Sequence, residues 1–60
     1  MFAEFTGKNG KSVRIDTDAV LAVEEVDGGS RIYVGAGSIE VKEGVDAVMA
    51  AIEIDEEEDD

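Results

Sequence analysis

The chain of 60 residues carries sixteen Asp and Glu, five Lys and Arg, no His and no Cys. Proton transfer would therefore fall to carboxylate pairs such as Glu24/Glu25 or Asp16/Asp18. Both read more simply as solvated turn and strand residues. A hydroxyl nucleophile needs an imidazole or equivalent base, and the chain has no imidazole to supply it. Asp16–Thr17–Asp18 opens like a calcium loop, but the glycine and closing glutamate are missing at the required offsets. Phosphate binding by a glycine loop needs a helix N-terminus directly after the loop. Gly7 and Gly10 lead into a strand, Gly28 and Gly29 lie between strands, and Gly44 precedes a helix but stands beside Glu43 and Asp46. No catalytic residue, metal or cofactor is expected.

Two features suit binding better than catalysis. Tyr33 and Arg31 share one face of a strand, and exposed Tyr and Arg are the side chains that dominate interface hot spots. Residues Asp55, Glu56, Glu57, Glu58, Asp59 and Asp60 form an acidic run, which reads as a solubilising tail or as a mimic of nucleic-acid charge.

The elements that position these residues are organised around residues 39–52, where the hydrophobic period changes. Ile39 and Val41 alternate with Glu40 and Lys42, as in a half-buried strand. From Val45 the apolar positions are Val45, Val48, Met49 and Ile52, one face of an α-helix ending near Ile52 or Ile54. Upstream, Phe2 and Phe5 fall on opposite faces of a first strand. Asn9–Gly10 predicts a type I′ hairpin turn, followed by a strand over Ser12–Asp16 with Val13 and Ile15 on one face. Asp16–Thr17–Asp18 is a corner whose side chains bond nearby amides. Residues 19–26 read as a turn leading into a strand at about 21–26, with a short helix as the alternative. Asp27–Ser30 and Gly35–Ser38 are further turns around a strand at Arg31–Val34. The prediction is an α+β domain over residues 1–54, a small antiparallel β-meander of about five short strands closed by one C-terminal amphipathic helix. Residues 55–60 are expected to be disordered.

A domain this small buries only about 60% of its unfolded surface, and no disulfide or zinc cluster reinforces it. Self-association is therefore expected, with Val45, Val48, Met49 and Ile52 of the helix as candidate interface beside Arg31 and Tyr33. The net charge is −11, and the six acids at 55–60 leave −5 over residues 1–54. That sign opposes direct nucleic-acid binding, which rests on Lys and Arg. No apolar run approaches the roughly 20 residues of a membrane span, and no signal-peptide pattern opens the chain, so a cytoplasmic protein without membrane insertion is expected.

The layout Thr6–x–x–Asn9–Gly10, the corner Asp16–x–Asp18 with Val20, then Val23–Glu24 and Val41–Lys42–Glu43–x–Val45–x–x–Val48, resembles the FlbD/SwrD family of flagellar and swarming-motility proteins over residues 2–53. It departs from the family's asparagine near Asp16 and its capping serine at Gly44, and it is acidic where the family leans basic. The resemblance implies a small non-enzymatic accessory protein acting through protein contacts, in a bacterial or phage assembly. The function expected is a non-catalytic, self-associating interaction module. The alternative is an acidic inhibitor that mimics nucleic acid and occupies a nucleic-acid-binding enzyme.

Overall fold

A computed structural model describes residues 1–53. The acidic run at 55–60 lies outside the described residues. Five strands and a helix follow in order: β1 (Phe2–Thr6), β2 (Ser12–Asp16), β3 (Ala22–Val26), β4 (Gly29–Val34), β5 (Gly37–Val41) and α1 (Val45–Glu53), with a 3₁₀ turn at Thr17–Ala19. All strand pairs are antiparallel. This is the α+β meander with a closing helix that the periodicities predict.

The strands do not form one continuous sheet. β1–β2 is a hairpin and β3–β4–β5 a separate sheet. The 3₁₀ turn breaks the ladder between them. The Asp16 carboxylate accepts the Asp18 N–H at 3.0 Å, capping a single short turn. The chain is then extended, and residues 22–26 are a strand rather than a helix, paired along their length with β4 while Val23 packs against the core. The two sheets meet at one bridge, Gly7 with Val41, where Lys42 N–H donates to the Thr6 carbonyl at 2.7 Å.

Between the layers lies the core. Phe5 and Ile15 come from the hairpin, Ile32 and Val41 from the three-stranded sheet, and Val48 from the helix. Strand alternation explains the choice: Phe5 is 4% exposed while Phe2, on the opposite face, is 67% exposed. On α1, Val48, Ala51 and Ile52 turn inward, at the i, i+3, i+4 spacing of one helical face. Val48 N–H bonds the Gly44 carbonyl at 3.0 Å, and Asp46 in the first turn complements the helix dipole.

The first hairpin turn differs from expectation. A type I′ turn requires positive φ at both central residues, yet only Gly10 has it, at +87°. Gly10 N–H donates to Gly7 C=O at 2.9 Å and Gly7 N–H to Lys11 C=O at 2.7 Å, which makes a three-residue loop closing in a glycine bulge. The Asn9 side chain decides this by accepting the Lys11 N–H at 3.0 Å, which suits ordinary negative φ.

At Gly29 the backbone of β4 passes against β5. A Cβ there would lie 2.0 Å from the Val41 carbonyl oxygen, at φ +156°. Gly29→Ala is expected to cost about 3 kcal/mol, through a backbone clash that no side-chain rotation relieves; urea denaturation measures it. Val48→Asp places an unpaired carboxylate at a fully enclosed position and is expected to cost several kcal/mol. Thermal melting unchanged from the wild type would show that α1 does not dock through Val48.

Candidate interaction surface

The face of β3–β4–β5 that points away from the core carries two cross-strand rows. Register sets Glu24, Arg31 and Glu40 side by side, and Ala22, Tyr33 and Ser38 beside them. Because Ile32 is wholly buried, its neighbours Arg31 and Tyr33 must face outward. The Arg31 guanidinium bridges the row. Nε and Nη2 donate to one Glu40 oxygen at 3.1 and 2.8 Å, and Nη1 donates to Glu24 at 3.1 Å. The Tyr33 hydroxyl donates to the same Glu24 oxygen at 2.7 Å. From the first hairpin loop, Lys8 Nζ reaches the Asp27 carbonyl at 3.2 Å and lies 4.0 Å from Glu40. The bonds from Arg31 hold the Glu40 carboxyl below its ordinary pKa, against the opposing effect of burial and with a weaker pull from Lys8. One residue at the centre thus fixes two carboxylates and, through Glu24, the tyrosine.

The six candidate interface residues fall into two groups that the fold does not bring together. Arg31 and Tyr33 occupy the outer face of the sheet, whereas the helix packs on its inner face. Val48 is wholly enclosed by the chain itself and presents no surface to a partner. Ile52 is half-buried against the core, and Val45 and Met49 are half-buried at the helix margin. Residues 55–60 lie outside the described residues. Glu24 and Glu40, which order Arg31 and Tyr33, were missed by the sequence reading; their strand parity and the turn lengths were the available signal. Phe2 and Leu21, 67% and 72% exposed, also escaped notice.

A second polar centre joins sheet to helix. Both Glu43 carboxylate oxygens accept the Thr6 N–H, at 2.9 and 3.1 Å, and the Ser30 hydroxyl donates to the Glu43 carbonyl at 2.8 Å. The Thr6 N–H holds the Glu43 carboxyl below its ordinary value, with burial working the other way. Among the described residues, no three His, Cys, Asp or Glu side chains gather as metal ligands, and no pocket is formed. No helix there is long and apolar enough to cross a membrane.

No family model, curated protein or solved structure matches this chain.

The Glu43 clamp carries a pH dependence. Since its folded pKa is depressed, its stabilisation is complete above the unfolded value of about 4.3 and drains away as pH falls through the folded one. A hydrogen bond to a charged group contributes about 1.5–3 kcal/mol, which partial exposure reduces to about 1 kcal/mol here. Glu43→Gln is therefore expected to lose about that much at pH 7 and less at pH 3, as read by urea denaturation at the two pH values. An equal loss at both would mean the charge is not what holds Thr6.

Proposed function

We propose that this chain is a non-catalytic protein-interaction module that self-associates and serves as an accessory or regulatory part of a larger bacterial or phage assembly. The observation that supports it is the ordered array on the outer sheet face. Arg31 and Tyr33 are held in place before any partner arrives, so docking on them costs less side-chain entropy than recruiting free rotamers. The array is flanked by the small side chains of Ala22 and Ser38, with the half-buried Tyr33 ring in the row beside a planar cation. The resemblance of its layout to the FlbD/SwrD proteins supports the accessory role, and the lack of histidine and cysteine supports a module without chemistry.

Capture of host proteins on immobilised chain, compared between wild type and Tyr33→Ala, tests the reading. A partner using this face is expected to lose at least about 2 kcal/mol, roughly 30-fold in affinity. The variant's melting temperature should move by only a few degrees, since the ring covers no core. Identical capture by both forms would remove Tyr33 from the binding surface.

A further inference from the structure

The hairpin β1–β2 meets the other sheet on its β1 side, at Thr6 and the Gly7–Val41 bridge, and has no strand neighbour on its β2 side. Gly7 N–H bonds Lys11 C=O and Thr17 N–H bonds Met1 C=O, while the register sets Phe5 opposite Val13 and Ala3 opposite Ile15. Antiparallel ladders alternate bonded and non-bonded pairs. Val13 and Ile15 therefore spend their backbone groups on β1, and the N–H and C=O of Ser12 and Arg14 and the N–H of Asp16 point the other way, while the Asp16 carbonyl opens the 3₁₀ turn. Among the described residues no strand pairs with β2 on that side. Such a row is a template for another strand.

The side chains along the edge select which strand. Arg14 is exposed and forms no ion pair with a described residue. Two positions on stands Asp16, whose Oδ1 accepts the Asp18 N–H and lies 3.5 Å from the Met1 amino nitrogen. We propose that a second copy of the chain adds along this edge, β2 against β2, antiparallel about a two-fold axis at Ile15. Arg14 then lies opposite the partner's Asp16, and Asp16 opposite the partner's Arg14. The Asp16 N–H and the Arg14 carbonyl meet across the seam on each side of the axis, so two main-chain bonds and two opposite-charge pairs form together. Centring the axis on Arg14 instead would oppose the two guanidiniums. Strand β3, also at a sheet edge, carries Glu24 and Glu25 and no cation, so copies paired there would gather carboxylates. β2 carries one cation and one anion at the spacing that makes it complementary to itself. The two bodies, each at −11, repel at long range. At 0.15 M salt, screening over about 8 Å removes most of that while leaving contacting pairs.

This seam rests on the self-association reading above and names its surface. Sedimentation velocity at 0.15 M salt on the full chain tests it, using wild type, Arg14→Glu, Asp16→Lys and an equimolar mixture of the two variants. The wild type is expected to dimerise. Each variant alone should dimerise about tenfold more weakly or worse, because both symmetry-related pairs become repulsive. The mixture should regain dimers, since every seam pair is again of opposite charge; misfolded chains would not regain them. Wild-type dimers with both variants dimerising equally well would overturn the β2 seam and leave self-association standing. A wild type that stays monomeric to high micromolar concentration would overturn both.

Discussion

Glu43 brings a carboxylate against the N–H of Thr6, 37 residues earlier in the chain, while the adjacent Lys42 N–H bonds the Thr6 carbonyl. The same short segment receives the hydroxyl of Ser30, which is fully enclosed and would be costly to leave unpaired. Three parts of the chain are tied there: the end of β1, the start of β4, and the passage from β5 into α1. Elsewhere among the described residues no main-chain to main-chain bond joins the hairpin to the three-stranded sheet. Without this junction the helix would have no fixed origin from which to lower Val48 onto Ile32 and Phe5.

Close approach at the junction is what allows its hydrogen bonds to be short. Gly29 lets the β4 backbone lie against the Val41 carbonyl where any side chain would collide. Polar contacts here replace what a larger core would supply, since only five of the described residues are buried apolar ones. The outer face follows a different logic. Arginine suits the position between Glu24 and Glu40 because its planar fork can donate to both at once, which an ammonium could not do with the same geometry. The result is an ordered polar surface over an apolar one, the two separated by the thickness of a single strand.

Much of the architecture was legible because it is local. Two-residue alternation placed the strands, glycine pairs placed the turns, and the change of period after Glu43 placed the helix. The errors were also physical. Asn9–Gly10 reads as a type I′ turn, but the Asn9 side chain bonds Lys11 N–H and favours the bulged loop. The helix face Val45–Val48–Met49–Ile52 is rotated in the fold toward Val48–Ala51–Ile52. Arg31 and Tyr33 were found as residues but not with Glu24 and Glu40, whose meeting depends on the register of two separate hairpins.

The sequence by itself determined the helix, most of the strands, the alternation of faces along them and the absence of histidine and cysteine, since these follow from residue type and nearest-neighbour spacing. Tertiary structure decided the rest. It divided the strands into two sheets, enclosed Val48 within the chain and put Arg31 and Tyr33 on the side opposite the helix. It also joined Glu43 to Thr6. Contacts between residues so far apart carry no periodic trace, because they are fixed only when the whole chain closes on itself.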